Sequence, residues 1–322
     1  MSIFITTISQ MIVMLLLVAL GFFLRKKHLL PSDSHTVMSK LETLVFLPAL
    51  NFSTQITQCS VSTFKENAAL ILYGIPIICI AIALSFTLSR LFVNKKAGSE
   101  EANYERNVYK YALSLANYGF VGNFIILGVW GNELFYKYSL FTFSFAPISL
   151  AWGLFLLIPR SKSEGAAKNI KKILLSPPLI AMVAGMIFGL HALGNYMPAI
   201  HSTALDYASS CMGPVAMLIT GFVVGGFDKK VLFLNKKSYF ASFLRLVAIP
   251  ALILSTLKLL GASDELLILA LISLATPVGL YSIIFPAAYG GDTKHGASLV
   301  MLSQLLSVIS IPLMYFVFVI LI

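Results

Sequence analysis

The sequence predicts an all-α polytopic membrane protein of ten transmembrane helices, built as a 5+5 inverted repeat with broken fourth and ninth helices. Three observations carry the span count and the repeat: an apolar composition, an alternation of basic connections, and prolines and helix interruptions matched between the two halves. Of 322 residues, 58% are hydrophobic and 11% charged, and the mean hydropathy is +0.89. A soluble domain needs about a quarter of its residues charged, and disorder needs low hydrophobicity with high charge. Both classes are excluded. Apolar stretches bounded by charged or turn residues place the spans at 3–24, 37–52, 68–92, 111–129, 135–158, 177–193, 204–226, 239–260, 266–289 and 297–322, each about as long as a bilayer crossing requires. The first has no basic segment before it and Arg25-Lys26-Lys27 directly after it, so it reads as a retained helix and not as a cleaved signal peptide.

Basic residues set the orientation. Connections after odd-numbered spans carry Arg25, Lys26, Lys27 and Lys40, then Arg90, Lys95, Lys96, Arg106 and Lys110, then Arg160, Lys162, Lys168, Lys171 and Lys172, then Lys229, Lys230, Lys236 and Lys237, then Lys294. The other connections carry Lys65, Lys137 and Lys258. By the positive-inside rule the basic side is cytoplasmic, which puts both termini outside an inner or plasma membrane. The net charge of +10 therefore reports orientation, and no nucleic-acid partner is expected. Cys59, Cys79 and Cys211 have neither metal-ligand spacing nor a disulfide pattern, and no cofactor is expected.

The halves 1–160 and 161–322 each hold five spans, so the second enters the membrane from the opposite side, the signature of an inverted repeat. Pro48 matches Pro214, Pro76 matches Pro250 and Pro147 matches Pro312, each about half the chain apart. A proline inside a helix removes a backbone bond, and although membrane helices tolerate single prolines, three matched pairs point to duplication. The fourth span contains Asn117-Tyr118-Gly119-Phe120-Val121-Gly122-Asn123, and the ninth contains Ala275-Thr276-Pro277-Val278-Gly279-Leu280-Tyr281. Irregular backbone at membrane depth survives only beside protein or a water-filled cavity, and matched interruptions point to a transporter's substrate site. Helix N-termini at such a break present partly positive N–H groups, so an anion is stabilised there without a buried Lys or Arg. The alternative for Gly119 and Gly122 is close helix packing.

The order and spacing of these motifs resemble the auxin efflux carrier family, whose bacterial members include malate and organic-acid permeases. The resemblance rests on residues 21–30, Phe46-Leu47-Pro48-Ala49-Leu50, Asn117 to Gly122, Gly213-Pro214-Val215-Ala216-Met217, and the stretch from Thr276-Pro277 through Tyr289-Gly290-Gly291-Asp292 to Ile311-Pro312-Leu313. It implies scaffold and transport domains each drawn from both repeats, with the broken helices crossing near the midplane. It also implies that Asn117 contacts substrate, that Gly119 and Gly122 shape one break with Asn123 after them, and that Pro277, flanked by Thr276 and Gly279, marks the other. Asn51 and Ser53, following Pro48 in the second span, would face the pocket. Two departures fall where selectivity is set: Asn123-Phe124 replaces a family proline, and Tyr281 replaces an asparagine.

Glu42 reads as an interfacial residue near a helix start, with a coupling role as the alternative, and Asp206 as a helix-end residue or a proton site. Arg245 is expected to snorkel toward headgroups, and His191 and His201 to lie at the outer face. No hydrolase, metalloprotease or ATP-binding motif is present, so the chain is not expected to be an enzyme. The reading is a secondary carrier or uniporter for a small organic anion, a carboxylate such as malate or an auxin-like acid, by alternating access. A sodium-coupled symporter and a non-transporting receptor are the alternatives. Expected partners are the anion and the lipid bilayer, with proton coupling and a homodimer left open.

Overall fold

The computed structural model describes residues 2–93, 99–158, 175–289 and 291–321. Lys95, Lys96, Arg160, Lys162, Lys168, Lys171, Lys172, Gly290 and Ile322, used in the sequence reading, lie outside the described residues. Within them regular structure is helical, apart from one antiparallel bridge between Ala116 and Val278.

Five continuous helices are long and apolar enough to cross a membrane: Ile3–Lys26, Val61–Leu91, Ala199–Gly225, Lys236–Leu259 and Lys294–Leu321. They coincide with the first, third, seventh, eighth and tenth expected spans. In order, α1 is Ser2–Lys26, with Arg25 and Lys26 in its last turn, where positive charge complements the helix dipole. The expected second span corresponds to α2 (Ser34–Leu41), a π-helical turn (Glu42–Phe46) and α3 (Leu47–Gln58). The third is α4 (Val61–Asn67), capped by Ser60, followed by α5 (Ala69–Leu88).

The other expected spans are interrupted or short. α6 (Glu100–Ser114), capped by the Ser99 hydroxyl, stops inside the fourth span, which resumes as a π-helical turn (Tyr118–Gly122) and α7 (Asn123–Phe141). Gly131 within α7 has φ 77°, a left-handed value that glycine adopts without steric cost. It marks the end of the fourth span. α8 (Phe145–Leu157) continues the fifth span after a turn at 142–144. α9 (Pro177–Leu190) is shorter than the expected 177–193, because His191 ends the helix and Ala192 turns left-handed at φ 53°. α10 (Ala199–Gly225) starts five residues before the expected 204, since the chain enters it from Pro198. Then come α11 (Lys229–Phe233), α12 (Lys236–Phe243), a π-helical turn (Leu244–Ala248), α13 (Ile249–Leu259), α14 (Asp264–Ala275), α15 (Tyr281–Tyr289) and α16 (Lys294–Tyr315).

Two packed groups emerge. α1 lies along α10, and α3 lies along α9 and α10. A Cβ at Gly21 would strike the Leu218 carbonyl and one at Gly221 the Val18 carbonyl, so small residues let these backbones approach. α5, α6 and α8 pack together, α12 and α14 each pack on α16, α16 joins these two sets through α6, and α7 bridges to both α1 and α3. α14 is buried without a break from Leu267 to Ala275. Leu16, Leu72, Leu259 and Ile309 are exposed while Gln55, Ser242, Ser303, Gln304 and Ser307 are buried. Large apolar side chains facing out are what a lipid-solvated surface presents.

Candidate functional site

The two interruptions meet. After Ser114 the chain extends through Leu115, Ala116 bridges Val278, and the Asn117 N–H donates to the Pro277 carbonyl at 2.7 Å. From the other side α14 ends at Ala275, Thr276 is extended, and the Val278 N–H donates to Ser303 Oγ at 2.9 Å. Freed backbone groups are thus paired inside the protein, as burial demands. Pro277 fits because it lies where an N–H has no helical partner to lose.

Both chains then restart as helices. The Val121 and Gly122 N–H groups both donate to the Asn117 carbonyl, at 3.0 and 3.1 Å, and no side chain caps this turn. On the other strand, Ser282 N–H donates to the Gly279 carbonyl and Ile283 N–H to that of Leu280. First-turn N–H groups have no intrahelical acceptor, so two partly positive helix ends converge.

They converge on a cavity of about 240 Å³. Asn117, Tyr118, Gly119, Phe120 and Asn123 line it from one interruption, and Gly279, Leu280 and Tyr281 from the other. Thr43, Leu47 and Asn51 close it from the second span, and Ser176, Pro178, Leu179 and Met182 from the sixth. No lining side chain carries a formal charge. Asn117 is 5% exposed and its Nδ2 has no hydrogen-bond partner. That spare donor is suited to a carboxylate oxygen.

The two glycines differ. A Cβ on Gly119 would meet nothing within 4 Å, whereas one on Gly122 would strike the Tyr138 hydroxyl. That hydroxyl donates to the Tyr118 carbonyl at 3.1 Å and braces the turn. Gly119 therefore opens onto the cavity, and Gly122 permits close packing behind it. The Tyr281 ring lines the cavity and stacks on Phe285 at 4.8 Å and 4°. Phe124 turns away and packs against Gly213 of α10.

Other residues singled out from the sequence fall elsewhere. Thr276 is fully buried behind the crossing, with Oγ1 unpartnered. Pro48 lines a separate apolar groove with His201, and Pro214 sits within α10. Asn51 Nδ2 donates to the Pro178 carbonyl at 3.0 Å, tying the second span to the sixth. Ser53 does not face the cavity; its hydroxyl donates to the exposed Asp206 at 3.4 Å.

Two expectations are corrected. Glu42 is not an exposed helix-start residue: it is fully buried in its π-helical turn, with neither carboxyl oxygen hydrogen-bonded, one residue before the cavity-lining Thr43. The helices around it shield it although Lys40, two residues earlier, is exposed. Arg245 does not snorkel: it is 1% exposed, because its turn packs on α6, α14 and α16 rather than facing lipid.

Sequence reasoning missed Tyr111, Ser139, Thr142 and Ser149, all cavity-lining. Ser139 accepts from Gln55 Nε2 at 2.7 Å, and the Ser149 and Tyr118 hydroxyls are 3.0 Å apart. In the sequence the Ser139, Thr142 and Ser149 hydroxyls lie three and seven positions apart inside one apolar run, the spacing of a single helix face and a readable signal, although the structure divides them between α7, the turn at 142–144 and α8.

The membrane transport protein family matches the chain over residues 6–315. An uncharacterized transporter of Methanothermobacter thermautotrophicus is 24% identical over 97% of this chain and 98% of its own length. A second uncharacterized transporter, from Methanocaldococcus jannaschii, is 21% identical over 94% of this chain and 96% of its own. With the match running from α1 to the end of α16 and spanning both interruptions, the chain belongs to the membrane transport protein family, the auxin efflux carriers that its motifs resemble.

Proposed function

We propose that the protein is a secondary carrier for a small organic anion, a carboxylate of the malate or indole-acid type, moved by alternating access. The carrying observation is the convergence of two helix N-terminal turns and the spare Asn117 donor on a cavity lined by no formal charge. Such a site offers dipoles and N–H groups to an anion but no countercharge to a cation. A volume near 240 Å³ suits a molecule smaller than a typical drug-sized ligand.

In this reading the chain makes ten crossings as an inverted repeat. The group formed by α1, α3, α9 and α10 serves as scaffold, and the group holding both interruptions moves against it. Both termini are outside, which puts the cavity's Thr43 and Ser176 edge toward the cytoplasm. Glu42, a buried carboxyl next to that edge, is the group proposed to bind and release a proton as the helices slide. Asp206, exposed and held by Ser53, keeps a helix-surface role.

A thermal-shift screen of the purified protein against mono- and dicarboxylates, indole acids and neutral amino acids tests the substrate class. A ligand bound only to the folded state stabilises it by about 2.7 kcal/mol at a hundredfold excess over Kd. The reading expects a carboxylate to shift the wild type and to be taken up by proteoliposomes. A shift from cations or neutral compounds alone would overturn it, and ligand binding without flux would favour the receptor alternative.

A further inference from the structure

The eighth span buries a guanidinium that the cavity does not use. Arg245 is among the largest fully buried side chains, yet its Nε and Nη2 have no hydrogen-bond partner. Its Nη1 donates to the Leu113 carbonyl at 3.4 Å, a long bond. None of the ion pairs among the described residues includes it. On the elements packed against its turn, Glu105 of α6 pairs with Lys237 at 2.9 Å and Glu265 of α14 pairs with Lys137 at 2.6 Å. α16 contributes Lys294 and His295 near its start, with no acid facing the guanidinium. A buried charge without a counterion is costly, so something other than a carboxylate must compensate it.

The compensation is a helix end. Leu113 lies in the last turn of α6, where unsatisfied carbonyls sum to about half a negative charge. The crossing gathers partly positive N-terminal turns on its cavity side, and α6 leaves a partly negative C-terminus beside them. In carriers with broken helices, such C-terminal ends and unwound carbonyls coordinate the coupling cation. Here a guanidinium donates to a carbonyl of that helix end. It does not line the cavity; Tyr111, which does, precedes its Leu113 partner by two residues on α6. Arg245 is therefore placed to act on the crossing and not as a clamp on substrate.

We propose that Arg245 is the resident countercharge of the crossing, standing where an alkali cation would bind and so making the carrier independent of sodium. The proposal rests on the carrier reading for its transport consequence, while the countercharge itself is a property of the substrate-free fold. Arg245 is in these terms a positioning residue.

The experiment compares melting temperatures of purified, substrate-free wild type, Arg245→Lys and Arg245→Met in sodium chloride and in choline chloride at equal ionic strength. Carboxylate uptake into proteoliposomes is measured under the same two salts. The wild type should melt at the same temperature in both salts and show uptake rates within twofold of each other. Arg245→Lys, which keeps the charge and loses the planar fork, should stay within a few degrees of wild type. Arg245→Met should melt at least 5 degrees lower in choline and regain part of that loss in sodium. Sodium-dependent melting or uptake of the wild type would overturn the proposal, and so would an Arg245→Met protein that melts and transports like wild type. Should Arg245→Met yield no folded protein, Arg245→Lys decides alone: melting within a few degrees of wild type supports a charge role, and a fall of 5 degrees or more, or failure to fold, overturns it. The carrier reading fails separately, through a wild type that neither shifts with any anion nor moves one, whatever the substrate-free proteins do with sodium.

Discussion

The interruptions of the expected fourth and ninth spans, between α6 and α7 and between α14 and α15, do the same thing to the backbone with different chemistry. In the fourth, an asparagine and two glycines replace helical turns with an extended residue and a π-helical turn, and the leftover polar atom, Asn117 Nδ2, belongs to a residue that lines the cavity. In the ninth, Pro277 stops the helix by having no N–H to give, and the leftover atom, Thr276 Oγ1, is sealed behind the crossing. The ninth contributes a wall, through Gly279 and the stacked Tyr281 ring. A break made with amides leaves ligand-binding groups over, while a break made with proline leaves shape. The fourth span should therefore control affinity and the ninth the size of what fits.

The largest expected effect follows directly. A hydrogen bond to a charged group contributes about 1.5–3 kcal/mol, so Asn117→Ala should weaken carboxylate binding roughly 10- to 100-fold in a thermal-shift titration while the substrate-free protein melts normally. Thr276→Val, which removes an already unpartnered hydroxyl, should change affinity less than about threefold and leave melting unchanged or raised, since a buried unsatisfied hydroxyl is destabilising. Equal losses at both positions would erase the distinction between the two breaks.

Within the fourth span the glycines sharpen the same contrast. Gly122→Ala forces a Cβ against the Tyr138 hydroxyl and disturbs its bond to the Tyr118 carbonyl. Overpacking of this kind costs about 1–3 kcal/mol, and it should lower the melting temperature with or without ligand. Gly119→Ala projects its methyl into open space. Melting should be unchanged, and uptake of branched acids should fall relative to straight-chain ones. A melting loss at Gly119 equal to that at Gly122 would mean that both glycines serve packing alone.

The breaks were legible in the sequence because Gly, Pro and Asn act on the backbone locally, wherever the rest of the chain lies. The five continuous helices were legible for a related reason: an unbroken apolar run reports its own span. What a residue faces depends on partners distant in sequence, and there the reading failed. Glu42 and Arg245 were judged by distance from a charged end, but their burial is decided by helices packed across them. Phe124 follows the motif by one residue, and only the approach of Gly213 on α10 shows that it turns from the cavity. Ser139, Thr142 and Ser149 carried a readable spacing, but only the cavity shows that they line a wall. The end of α9 was misplaced because nothing in His191-Ala192-Leu193 announces a left-handed alanine.

The smallest expected effect concerns Pro277. Its contribution to the crossing is a carbonyl, which accepts the Asn117 N–H at 2.7 Å and which any residue would supply. Pro277→Ala restores freedom to the unfolded chain, a loss of about 0.4–1 kcal/mol of stability, and adds an N–H that the crossing gives no helical partner. Melting should fall slightly and carboxylate affinity should hold within about twofold. If affinity instead collapses as it should for Asn117→Ala, the ring itself sets the geometry of the binding turn. The ninth span would then govern affinity through backbone rigidity, and the division of labour between the two breaks would have to be redrawn.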